Sequence, residues 1–262
     1  MQISRIIEPR MHDLGGGFIV RRVLPFHAHR SVGPFVFFDH FGPVEFDPGA
    51  SFNVLPHPHI GLSTVTFLFD GAIRHRDSLG TDLVIEPGAV NCDEEDCAPA
   101  FIHPPADTLP AFRVGDVRVK VLAGSAWKHT SPVSFPWPIL YVALETDSDA
   151  DIILPAEMAI ERALYVVTGS AQIGASIVTE GRMAVLGSDT DVTVKLAAGT
   201  KAMICGGAPM ESPRKMDWNF VSSDTAKIEQ AKVDWTAAME AGGSERFPLV
   251  PGDEEEWIPI PS

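Results

Sequence analysis

Long apolar runs, basic patches and paired cysteines are all scarce in these 262 residues, and each shortage removes a class of function. No uninterrupted run of about eighteen apolar residues occurs, so nothing reads as a membrane span. The opening MQISRIIEPR has neither the apolar core nor the small-residue cleavage site of a secretory signal, and the expected location is the cytosol. Cys92, Cys97 and Cys205 form an odd set without framework spacing, which reads as free thiols in a reducing compartment. With 35 acidic against 20 basic residues the formal charge is −15, so a phosphate backbone is repelled and direct nucleic-acid binding is not expected. Walker loops, dinucleotide fingerprints and HExxH are missing, and no nucleophile elbow joins Asp39 and His40 into a triad.

What is present is β-forming sequence. Twenty-two glycines and 22 prolines are spread evenly and separate short runs of Val, Ile, Phe and Thr, the pattern of a sandwich or barrel. Strands are expected over 17–23, 34–38, 62–69, 82–86, 117–122, 139–144, 163–167, 171–178, 182–186, 190–196 and 201–205. Val65, Phe67 and Phe69 fall on one face of the third, and Val192, Val194 and Leu196 on one face of the tenth. One helix is expected near the C-terminus. Ser222, Ser223 or Asp224 can cap it, Ile228, Ala231, Trp235 and Ala238 form its stripe, and Gly242 or Gly243 can stop it. The proline-rich, acidic RFPLVPGDEEEWIPIPS reads as an extended arm anchored by Phe247, Leu249 and Trp257.

The chemistry-bearing feature is LPHPHIGLSTVTFLFDG, residues 55–71. In extended backbone His57 and His59 point to the same face, roughly 7 Å apart, a spacing that suits two imidazoles closing on one metal ion. A catalytic metal site needs three or four protein donors with an open position, so the pair is half of one. A weak internal echo links LSTVTFLFDGAIRHRDSLGTDLVIEPGAV with ERALYVVTGSAQIGASIVTEGRMAVLGSD, as one barrel unit repeated would. The second copy has no histidine, which places any metal chemistry in the first. His27 and His29, beside Arg30 in PFHAHR, read as surface loop; His12, His40, His75 and His129 read as structural or exposed.

HPHIGLSTVTFLFDGAIRHRDSLGTDLVIEPGAVN resembles the N-terminal signature of the pirin family of bicupins, and VGPFVFFDHFGPVEFDPG, SPRKMDWNFVSSDTAKIEQAKVDW and RFPLVPGDEEEWIPIP resemble its bacterial branch. The resemblance spans nearly the whole chain. It implies an all-β fold of two cupin barrels with one C-terminal helix and an arm, the first barrel over 1–112 and the second over 113–262. It also implies divalent iron, or another divalent transition metal, on three histidines and one glutamate, with His57 and His59 as the first two. The other two should follow the Pro87–Gly88 turn, where the chain instead runs GAVNCDEEDCAPAFIHPPADTLP.

An ungapped alignment sets Phe101 at the family histidine and His103 at the glutamate. EEDCAPAFIHPPADTLP better resembles a segment lying just before the second barrel, so a block of about thirty residues, enough for several strands, is missing near Asn91 and Cys92. Its loss removes two ligands and leaves strand edges unpaired. A replacement shell from His103, Glu94, Glu95 or Cys92 is the alternative, though no spacing aims them at the pair. The resemblance implies flavonol dioxygenation of the quercetinase type, weakened or lost here. The other reading is a redox-linked regulatory protein whose acidic surface docks a basic protein partner.

Overall fold

A computed structural model describes residues 2–13, 18–45, 47, 52–86, 101–135 and 137–261. Its residues gather into two compact units, 1–14 with 19–50 and 107–210, and 15–18 with 51–106 and 211–262.

The first unit holds a barrel made of two antiparallel sheets. One has seven strands, in the order Ala111–Val114, Val117–Ala123, Ile139–Glu145, Lys201–Gly207, Glu161–Thr168, Met183–Leu186 and Ile3–Ile7. The other has four: Ala150–Leu154, Val192–Leu196, Ser170–Ile173 and Ser176–Thr179. Period-two alternation turns aliphatic side chains of both sheets into one core. Val119, Leu144 and Ala202 lie opposite one another across three adjacent strands, and Ile152 faces Val194 in the smaller sheet. Val192, Val194 and Leu196 are buried as expected. The core cluster is wholly aliphatic and close-packed.

The strand Glu161–Thr168 is buried on both faces. Leu164 and Val166 enter the barrel core, while Tyr165 faces the three-stranded sheet Arg10–Asp13, Ile19–Leu24 and Phe38–His40. There the Tyr165 ring lies 4.9 Å from Phe38, and its hydroxyl is 2.8 Å from His40 Nδ1. Asp39 accepts two bonds from the Arg22 guanidinium, at 2.8 and 2.6 Å, so Asp39 and His40 serve different partners and form no triad.

Burial, with smaller help from Arg21, pushes the His40 imidazole down to about 4. The folded state therefore binds fewer protons here than the unfolded state between pH 6.5 and about 4. Its contribution is fully present above pH 6.5 and is lost as the pH falls through that window. Allowing for partial exposure, about 1–2 kcal/mol is expected. Urea unfolding of wild type and His40→Gln at pH 7 and near pH 4 checks this: the variant should lose less stability on acidification, and an identical loss would count against it.

The second unit holds the helix Thr225–Ala241. Asp224 caps it, accepting from Ala226 N at 2.9 Å, and Gly242 ends it at φ 78°, where a side chain would strain the backbone. Ile228, Ala231, Trp235 and Ala238 are all buried, against Phe220 and Phe247. Leu249 and Trp257 of the arm pack on the same cluster. Beside it runs the hairpin Lys215–Asp217/Phe220–Ser222.

Expectation and structure part company in the histidine-bearing region. Residues 62–69 form no strand. Phe67 and Phe69 do share a side, with rings 4.9 Å apart, but the side chains that bury are Leu62 and Leu68, on the other parity. A strand needs a partner for its backbone groups, and among the described residues no ladder takes in 62–68. The next segments pair only with each other, as the hairpin Ile73–Arg76/Asp82–Ile85. The run 34–38 is mostly a tight turn closed by a Val32–Phe35 bridge, and 171–178 is two strands turning at Gly174.

Candidate metal centre

His57 stands between Pro56 and Pro58. Neither proline has an N–H to donate, so this stretch cannot be an interior strand, and its backbone is held from elsewhere. Ile258 N donates to Pro56 O at 2.9 Å. On the other side Val221 N donates to Ile60 O at 3.0 Å and Ile60 N to Asn219 O at 3.5 Å, a parallel bridge between Ile60 and Phe220.

Held so, the two imidazoles converge: their ring centroids are 5.1 Å apart and tilted by 55°. His57 Nδ1 lies 2.8 Å from Leu55 O. A carbonyl oxygen only accepts, so Nδ1 carries the proton and Nε2 presents a free lone pair. Burial, set against the Leu55 hydrogen bond, lowers the His57 pKa. Burial, followed by the charges of His57 and His75, pushes His59 down to about 3. Both rings are therefore neutral at pH 7, the form that ligates a metal, and protons compete weakly for their lone pairs.

His75, on the strand Ile73–Arg76, lies near enough for its charge to bear on both rings. Its Nε2 is 3.3 Å from Asp77 Oδ2, and its ring stacks on Phe101 at 4.6 Å and 21°. The His103 ring is also near Phe101, with centroids 6.1 Å apart at 19°, and its buried Nδ1 has no partner. Cys92, Glu94, Glu95, Asn91 and Cys97 fall outside the described residues. Among the described residues no group of three or more His, Cys, Asp or Glu is placed to hold a metal. The fit to a mononuclear centre is thus partial: two neighbouring neutral imidazoles, and among the described residues no shell around them.

The remaining histidines all belong to the first unit. His27 and His29 sit in a tight turn closed by reciprocal bonds between Phe26 and His29, and His27 is exposed. His129 is exposed and stacks on Phe112 at 3.8 Å, and His12 lies on the exposed strand Arg10–Asp13. Cys205 is buried, with its thiol pushed up to about 12 by desolvation, so it is unreactive. Sequence reasoning did not find Ile258, Trp235, Arg76 or Asp253 as supports of the pair. Their contacts span up to 202 residues between Pro56 and Ile258, and no local pattern signals them.

Strands with one α-helix, near the C-terminus, among the described residues, and an antiparallel barrel of two sheets define a cupin-type fold. Residues 17–93 match the family description "Pirin", and 141–240 match "Pirin C-terminal cupin domain". A pirin-like protein of Caulobacter vibrioides is 38% identical over 297 aligned positions, covering 99% of each chain. This chain belongs to the pirin family. The crystal structure of quercetin 2,3-dioxygenase from Acinetobacter baumannii superposes with a TM-score of 0.90 at 26% identity, over 98% of this chain and 95% of that one. A bacterial pirin from Escherichia coli in complex with nickel(II) shares the fold alone, at a TM-score of 0.58 and 12% identity, over 79% of this chain and 99% of that one. Among the described residues no helix is long and apolar enough to cross a membrane.

Proposed function

We propose that this pirin binds a divalent transition metal, iron by preference, weakly through His57 and His59 alone, and that flavonol dioxygenation of the quercetinase type is weak or lost in it. The observation that carries this reading is that two neutral imidazoles lie with ring centroids 5.1 Å apart while, among the described residues, no group of three or more metal-ligating side chains is placed to hold an ion. Supporting it, the Caulobacter alignment extends over 297 positions against a chain of 262, so at least 35 positions of that relative fall opposite gaps here. That number agrees with loss of the strands expected to carry the remaining ligands. The unpaired run 62–68 agrees as well, because removing its ladder partner leaves its backbone groups without a sheet.

When bound in a full shell, such a metal supplies Lewis acidity and orients a deprotonated flavonol beside dioxygen. Two imidazoles hold the ion without fixing its geometry, so that orientation is lost. Metal analysis of the purified protein, followed by Fe²⁺ titration and a flavonol assay, tests the reading. Substoichiometric metal, binding abolished in His57→Ala and turnover near background are expected. Stoichiometric iron with robust turnover, abolished by His57→Ala, would overturn it.

A further inference from the structure

We infer that the C-terminal arm positions the histidine pair, with Ile258 as the bridging residue. The inference rests on the reading of His57 and His59 as metal donors and assigns them a support that comes from the far end of the chain.

Ile258 bonds in two directions. Its N–H donates to Pro56 O at 2.9 Å, and its carbonyl accepts from the Trp235 indole N–H at 3.2 Å. Trp235 is 4% exposed and sits in the cluster formed by the helix, Phe220 and Phe247, so the arm is tied at this residue to a packed body. The bond to Pro56 O fixes the peptide plane between Pro56 and His57. That plane adjoins the Leu55 carbonyl, which sets the His57 tautomer. Six residues earlier along the arm the second grip occurs. Arg76, next to His75, donates Nη1 to Gly252 O and Nη2 to Asp253 Oδ2, both at 2.9 Å.

The pair's backbone is therefore tied at Pro56 by the arm and at Ile60 by the hairpin that precedes the helix. Two sheets would normally do this for a strand. Here the flanking prolines remove the donors a sheet requires, and hydrogen bonds from outside take over. Ile258, Trp235, Arg76 and Asp253 are positioning residues, acting on the imidazoles through backbone and never touching a bound ion.

The decisive comparison is Ile258→Pro, which removes the N–H, against Ile258→Val, which keeps it and most of the side chain. The first readout is metal-free: long-range ¹H–¹⁵N spectra of the histidine rings in the full chain at neutral pH. Wild type and Ile258→Val should show His57 as one Nδ1–H tautomer, and Ile258→Pro a mixture, while core resonances of the Val117–Gly207 barrel stay in place. The second is Ni²⁺ titration, in which Ile258→Pro should bind about tenfold more weakly or worse, the range seen for outer-shell losses. Should Ile258→Pro fail to fold, Asp253→Asn loosens the arm at Arg76 without altering the backbone and should also mix the tautomers. A single His57 tautomer retained in whichever of these variants folds overturns the inference, as does an equal loss in Ile258→Val. Failure of wild type to bind Ni²⁺ sinks the metal reading, while the metal-free spectra still decide the positioning one.

Discussion

Arg162→Met is expected to destabilise the barrel by about 3–5 kcal/mol, the largest effect of any single substitution considered in this chain. Arg162 is 1% exposed and sits on the inward parity of its strand, in line with Leu164 and Val166, where an aliphatic residue belongs. Its guanidinium donates to Leu154 O at 3.1 Å, Gly187 O at 3.2 Å, Thr190 O at 2.6 Å and also to Pro155 O. Desolvation lowers its pKa, with only Asp191 raising it, so the charge is stabilised mainly by carbonyl dipoles. Replacing a buried ion pair by an aliphatic can be neutral because both charges disappear. Here the acceptors are main-chain carbonyls of two chain reversals and cannot be removed, and each one left unpaired costs about 1–3 kcal/mol. Methionine fills the volume and satisfies none of them. Lysine recovers only a fraction, since three donors on one nitrogen cannot span four carbonyls. Urea unfolding monitored by circular dichroism checks the value, and a loss below about 1 kcal/mol would show that water replaces the guanidinium without penalty.

Where burial and alternation coincide, the chain could be read directly. Val192, Val194 and Leu196 alternate because one face of their strand meets a core, and the helix stripe Ile228, Ala231, Trp235 and Ala238 buries for the same reason. Asp224 and Gly242 act as a cap and a stop through chemistry confined to a few neighbours. Ile3–Ile7 and Ala150–Leu154 escaped notice, since both are five-residue strands at a sheet edge and carry a charged residue, Arg5 or Asp151, exposed. Residues 62–69 show the converse. STVTFLF has the composition of a strand, yet composition cannot tell whether a partner exists elsewhere, and strand formation is a property of the pair. At the site, the closeness of the His57 and His59 rings is what their i, i+2 spacing leads one to expect. That His75 and His103 both lie near Phe101, and that Ile258 holds Pro56, follows from long-range packing that no spacing encodes.

Restoring the block of strands proposed to be missing should change function more than any point substitution. Replacing residues 87–100 with the longer corresponding segment of the Caulobacter relative is expected to raise bound metal from substoichiometric to about one per chain. Affinity should rise on the order of 10²-fold or more, since ordered donors beyond the pair add to an ion already captured. The pair is prepared for this: His57 carries its proton on Nδ1 and leaves Nε2 free, and burial holds His59 neutral at any pH well above 3. What the graft adds is the fixed coordination geometry that two imidazoles cannot impose, and with it the orientation of flavonol against dioxygen, so turnover should emerge together with the metal. His57→Ala within the graft must abolish both gains, which separates a rebuilt centre from a site brought in whole by the inserted segment. The two-sheet barrel of the first unit is an internal control, because its aliphatic core and Arg162 clamp contain none of the replaced residues and should unfold at an unchanged urea concentration. A graft that folds by this measure and still binds no more metal than wild type would mean that His57 and His59 converge for packing alone.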